Sequence, residues 1–121
     1  MAKILIIEKE PILAEMYKDK FEQEHFFTKI TSNYQQGLEV AKEEKPDLIL
    51  IDIQRPTPND PDFLNELKEN KQLSTIPVVI LSNYEEPRNL QKTFPQIKDF
   101  FLNTQFTPSQ LVERIKPYLK Q

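Results

Sequence analysis

The segment Asp47-Leu48-Ile49-Leu50-Ile51-Asp52 sets four consecutive branched apolar residues between two acids. Successive side chains of a strand point to opposite faces, so this run is dry on both sides. Such a strand belongs in the middle of a parallel sheet covered by helices. Four further runs read as strands: Lys3 to Ile7, a weaker and more exposed Phe26 to Thr31, Ile76 to Leu81 with Pro77 near its start, and Lys98 to Leu102. Between them the apolar spacing turns helical. Pro11 opens a helix at its first turn, where a missing N–H costs nothing, and Leu13, Met16, Tyr17 and Phe21 share one face. Tyr34 to Lys45 makes a second helix, packed through Leu38 and Ala41 and ended by Pro46. After a proline-rich loop from Arg55 to Pro61, Asp60 is expected to cap a third helix with Pro61 at its first position. Phe63, Leu64 and Leu67 form its face. Pro87 starts a short helix through Leu90 that Pro95 must end. Thr107-Pro108-Ser109-Gln110 is a capping box for a terminal helix striped by Leu111, Val112, Ile115, Tyr118 and Leu119, in which Pro117 kinks or shortens the last turn. This alternation predicts right-handed βαβ crossovers and an α/β fold, as one domain over residues 1–121.

Composition narrows the function. The 121 residues carry a formal charge of −3, which offers no basic face for nucleic acid. No apolar run reaches the ~18 residues of a membrane span. The stretch Ile4-Leu5-Ile6-Ile7 after Met1-Ala2-Lys3 is too short for a secretory signal. Cysteine is absent, which excludes disulfides and thiolate metal sites, and the chain reads as soluble and cytoplasmic. There is one glycine, Gly37, against ten prolines. Phosphate-cradling loops need glycine for close backbone approach, so no nucleotide fingerprint is present. The single histidine, His25, excludes a multi-histidine metal site or a histidine triad and marks the end of the first helix. The mixed charges of Glu39 to Lys45 read as a solvated helix face.

In open parallel sheets, ligands bind outside the carboxyl ends of the strands. That rule selects Glu8-Lys9-Glu10 after the first strand, Asp52 at the end of the third, Ser82 after the fourth and Asn103 after the fifth. An acid closing a central strand beside a hydroxyl suits a metal or phosphoryl site. Equally, Asp52 could simply cap its strand and hydrogen-bond the following loop.

The segments Lys3-Ile-Leu-Ile-Ile-Glu-Lys-Glu-Pro11, Pro46-Asp-Leu-Ile-Leu-Ile-Asp-Ile53, Ile76-Pro-Val-Val-Ile-Leu-Ser-Asn83 and Phe106-Thr-Pro108 together resemble the receiver domains of two-component response regulators, over essentially the whole chain. The resemblance implies a flavodoxin-like (βα)5 fold with strand order 2-1-3-4-5 and a phospho-accepting aspartate at Asp52. It also implies that an acidic pair after the first strand holds Mg²⁺ with that aspartate, while a hydroxyl and a lysine bind the phosphoryl group. Positive charge on the equatorial oxygens and an in-line approach are what such a transfer needs. Glu8 matches the first acid, Ser82 the hydroxyl and Phe100 the aromatic position that reports the state of the site. The aromatics Phe94, Phe100, Phe101 and Phe106 are mostly core. In receiver domains the face of the fourth helix, fifth strand and last helix is also the usual docking and dimer surface, for which one or two of them would be exposed.

Two positions depart from the family pattern. Lys9 stands where the second acid is expected, and Asn103 stands where the lysine is expected. The loop Pro56-Thr57-Pro58-Asn59-Asp60 also lacks the usual glycine, and Asn59 and Asp60 both lie near the place of a loop aspartate. Mg²⁺ favours hard oxygen ligands, so an ammonium at position 9 cannot ligate it and repels it. Lys9 is expected instead to approach Asp52 as an internal ion pair, or else to point into solvent while Glu10 moves in as a weak ligand. Asn103 keeps a hydrogen-bond donor but loses a charge. The expected function is a pseudo-receiver that signals by binding a protein partner (a histidine kinase, a phosphotransfer protein or a downstream effector). It is not expected to be an enzyme, and Mg²⁺-dependent phosphorylation at Asp52 is impaired. A conventional phospho-accepting regulator is the near alternative. A flavodoxin-like cofactor binder fits less well, because Glu8 and Glu10 repel a phosphate. A phosphatase using Asp52 as nucleophile needs a metal that Lys9 opposes.

Overall fold

A computed structural model describes residues 1–53, 55, 57–83, 88–102 and 106–119, with the backbone alone at position 88. Five strands, β1 (Lys3–Ile7), β2 (Phe27–Thr31), β3 (Leu48–Ile53), β4 (Val78–Ser82) and β5 (Ile97–Leu102), form one parallel sheet in the order β2-β1-β3-β4-β5. The helices α1 (Pro11–Gln23), α2 (Tyr34–Glu44), α3 (Asn59–Glu69), α4 (Arg88–Thr93) and α5 (Pro108–Ile115) alternate with them. The dry run around Ile49 fills the central strand β3, as its pattern requires.

Strand alternation divides the core in two. Leu5, Ile7, Ile49, Ile51, Val78 and Ile80 face α2, α3 and α4, while Ile4, Ile6, Leu48, Leu50, Val79 and Leu81 face α1 and α5. On α1 the buried residues are Ala14, Tyr17 and Phe21, so Met16, expected on that face, turns outward instead. The spacing 14, 17, 21 keeps one stripe, and Met16 lies about 100° of helix rotation from Tyr17.

The helix ends follow local chemistry. His25 after α1 (φ 69°) and Lys45 after α2 (φ 47°) both adopt the left-handed conformation that usually falls to glycine. The start of α3 differs from the expected cap at Asp60. The helix begins at Asn59, where Thr57 and Asp60 bond reciprocally: Thr57 N–H donates to Asp60 Oδ2 at 2.8 Å, and Asp60 N–H donates to the Thr57 carbonyl at 3.1 Å. Pro61 then sits within the first turn, where no N–H is needed. The capping box of α5 forms as expected, and Pro117 tightens the chain into a 3₁₀ turn over Lys116–Tyr118. The expected start of the fourth helix at Pro87 lies outside the described residues.

Candidate functional site

The site is built at the carboxyl ends of β1, β3 and β4. In the β1–β3 register Ile6 lies beside Leu50 and Ile7 beside Ile51, so one further step sets Glu8 beside Asp52. Alternation sends both acids to the α1–α5 side of the sheet, after Ile4, Ile6, Leu48 and Leu50. Glu8 is 2% exposed. Its Oε2 accepts the Glu10 N–H at 3.0 Å, which fixes the turn into α1, and its own N–H extends the sheet to the Thr31 carbonyl at 2.9 Å. Glu8 Oε1 is buried with no hydrogen-bond partner among the described residues. Asp52 is half-buried. Ser82 is fully buried at the end of β4, in register with Ile53.

The ion pair expected between Lys9 and Asp52 does not form. Lys9 is exposed and takes part in no salt bridge among the described residues. The alternation that turns Glu8 inward turns its neighbour out. Glu10 is exposed too. Asn103, expected in the pocket, lies outside the described residues. Phe100 is buried on β5, in register with Ile80.

One residue with an electrostatic link to the site escaped the sequence reading. Tyr17, taken there as core, is 6% exposed and packs in one cluster with Ile4, Ile6, Leu48 and Leu50. Burial pushes its phenol far above the ordinary range, and the carboxylates of Asp52 and then Glu8 push it further. The available signal was the polar tip of a residue at core spacing, nine positions after Glu8.

A second acid anchors the loop after β3. Asp60, buried to 5% exposure, accepts the Tyr34 hydroxyl at 2.5 Å, besides its bond from Thr57. The Tyr34 ring stacks on Phe63 with centroids 4.5 Å apart. Burial first, and then the bond to Asp60, raise the Tyr34 phenol. Asp60 therefore ties α3 to α2, and Asn59 beside it is exposed.

Magnesium is held by hard oxygens in near-octahedral array, usually one or two carboxylates with water and substrate oxygens. Among the described residues no three acidic or histidine side chains gather to hold a metal. Glu8 and Asp52 are the two carboxylates set on adjacent strand ends among the described residues, and Lys9 stands where a further acid is expected.

The aromatics near β5 are core. Phe94, Phe100 and Phe101 are buried, and half-buried Phe106 meets Phe101 edge-on at 4.9 Å with the Arg114 guanidinium 5.2 Å from each of those two rings. Large exposed apolar side chains lie elsewhere, including Ile12 at 80% and Met16 at 45% on α1. No helix among the described residues is long and apolar enough to cross a membrane.

A parallel sheet in this order, with acids at the carboxyl ends of its central strands, is the flavodoxin-like frame of phospho-signalling modules. The sequence profile of the response regulator receiver domain matches residues 4–116, and the chain belongs to that family. The phosphate regulon transcriptional regulatory protein PhoB of Escherichia coli is 29% identical over 119 residues, which cover 98% of this chain and 52% of that protein. The chain thus spans about half the length of PhoB (52%). The polar-differentiation response regulator DivK of Brucella anthropi is 26% identical over 116 residues, covering 96% of this chain and 94% of DivK. Among solved structures, the chemotaxis response regulator CheY4 of Vibrio cholerae superposes with a TM-score of 0.83 at 18% identity, covering 98% of this chain and 99% of that one. The response regulator TrrA of Thermotoga maritima, in complex with Mg²⁺ and BeF, gives 0.81 at 21% identity, covering 98% and 100%.

Proposed function

We propose that residues 1–121 form one receiver unit that signals by protein association and whose phosphorylation at Asp52 is impaired. The observation that carries this reading is that no third acidic or histidine side chain gathers with Glu8 and Asp52 among the described residues, an exposed Lys9 standing where one is expected. Phosphoryl acceptance by a carboxylate needs concentrated positive charge at the site. A cradle short of one acid recruits that charge poorly, and Asn103 in place of a lysine weakens it again. The partner is a protein: a histidine kinase, a phosphotransfer protein or a downstream effector, met in the cytoplasm. Self-association through α4, β5 and α5 is the further arrangement open to such a unit.

With acetyl phosphate and Mg²⁺, intact-mass measurement is expected to find no stable adduct. An adduct that disappears in Asp52→Asn would instead establish a conventional phospho-accepting regulator. That second reading draws support from Glu8 Oε1, a buried carboxylate oxygen set beside Asp52 with no partner among the described residues.

A further inference from the structure

We propose that Asp60 is a positioning residue of the receiver site: with Tyr34 and Thr57 it straps the chain that leaves the Asp52 strand to the chain that leaves β2. The proposal deepens the reading of Asp52 as the acceptor and rests on it. Three observations meet at this carboxylate. It is buried to 5% exposure in the first turn of α3. Its Oδ2 accepts the Thr57 N–H at 2.8 Å, while its Oδ1 accepts the Tyr34 hydroxyl at 2.5 Å and the Thr57 hydroxyl at 3.4 Å. The Tyr34 side chain is also held apart from that bond. Its ring stacks on Phe63 with centroids 4.5 Å apart, and Asn33 caps the helix that Tyr34 begins, accepting the Gln36 N–H at 2.8 Å.

The three side-chain and backbone groups that reach the Asp60 carboxylate are all donors, and a carboxylate accepts at both oxygens. An amide of the same shape would turn an NH₂ group onto one of them. Hydrogen bonds to an ionised acceptor are also the stronger kind, which suits a strap between separate elements. Each end of the strap leads to one acid of the site. Asp52 is followed by Ile53, the last residue of β3, which is held in register with Ser82. The connection to α3 is therefore held at Ile53 by the sheet and at Thr57 by Asp60. On the other side, the β2 strand that precedes Tyr34 ends at Thr31, whose carbonyl accepts the Glu8 N–H at 2.9 Å. The Tyr34–Asp60 bond thus closes a circuit of chain that includes both Glu8 and Asp52. Opening it frees a segment that starts beside Asp52, so the strap keeps the surroundings of Asp52 in one arrangement.

The experiment is NMR, at a single neutral pH, of the Thr57 backbone amide and the Asp52 carboxyl carbon in the wild-type chain, Tyr34→Phe and Tyr118→Phe. Tyr34→Phe keeps the ring and removes the donor, while Tyr118→Phe removes a hydroxyl–carboxylate bond at β5. The expected result is a shift of both resonances in Tyr34→Phe and of neither in Tyr118→Phe. An unmoved Thr57 amide or an unmoved Asp52 carbon in folded Tyr34→Phe would overturn the proposal, as would equal shifts in both variants. Movement at Thr57 alone would make Asp60 a fold contact and nothing more. Should Tyr34→Phe fail to fold, the Asp60 carboxyl carbon in Asp52→Asn carries the test. A shift larger than that of the Asp99 carbon supports the coupling, and one no larger rejects it. These readouts involve no phosphoryl donor, so their failure is distinct from that of the acetyl phosphate experiment.

Discussion

Tyr34 and Tyr118 each set a hydroxyl against a carboxylate, with different consequences. Tyr34 donates to Asp60 and so ties α2 to the first turn of α3. Tyr118 donates to Asp99 Oδ2 and so holds the last turn against β5. That bond, ahead of burial, pushes its phenol from 10.0 up to about 12. An unfolded tyrosine loses its proton near pH ~10. The folded chain keeps the Tyr118 proton until about 12, so its stabilising contribution is complete below the unfolded value and is lost as pH rises through that interval. Tyr118→Phe is therefore expected to be less stable than wild type at neutral pH, with the gap closing in alkali. Urea denaturation of both chains across that range measures it, and a constant gap would contradict the assignment.

At the scale of elements, the one glycine sets the approach of α2 to the sheet. A Cβ on Gly37 would stand 2.6 Å from Ile7 Cδ1 and 3.3 Å from Thr31 Oγ1. Alanine in a helix gains roughly 0.5–1 kcal/mol over glycine, while overpacking a core costs about 1–3 kcal/mol. Crowding wins, and Gly37→Ala is expected to lose about 1 kcal/mol. Ile7→Val removes the Cδ1 in the way, so in that background the same substitution should become neutral or favourable. A double-mutant cycle by chemical denaturation checks this; strict additivity would mean that helix and strand adjust independently.

The sheet order was legible because a strand apolar on both faces has one place to go, and because proline and capping residues punctuate the helices. The buried stripe of α1 was less so: Met16 and Ala14 both fit a helical period around Tyr17, and spacing does not say which one turns inward. Asp60 looked like a cap because the sequence does not reveal that Thr57 bonds it from outside the helix, which places Asp60 within the first turn. At the site, Glu8 and Asp52 were readable from strand ends. The direction of Lys9 was not, since it depends on which face the residue turns.

For the whole molecule, the exposed apolar pair Ile12 and Met16 lies one turn apart at the pocket end of α1. Exposed apolar side chains beside a site offer a partner an anchor that water does not hold. If α1 is the docking surface of this receiver, Ile12→Lys should weaken binding of a histidine phosphotransfer partner by about tenfold, or about 1.4 kcal/mol. An unchanged Kd in titration calorimetry would place the docking surface elsewhere. Phe106, with the Arg114 guanidinium 5.2 Å from its ring, gives a control where substitution should affect packing more than association.

Glu8 and Lys9 sit just past the last paired residues of β1, while the dry body of the sheet ends at Ile7 and Ile51. Lys9, turned to solvent, removes no core contact and no sheet hydrogen bond. Exchanging an acid for a lysine there changes what the molecule can bind while leaving what keeps it folded almost untouched. Position 9 can therefore vary with almost no folding penalty, and the rigid body that other proteins would recognise stays the same.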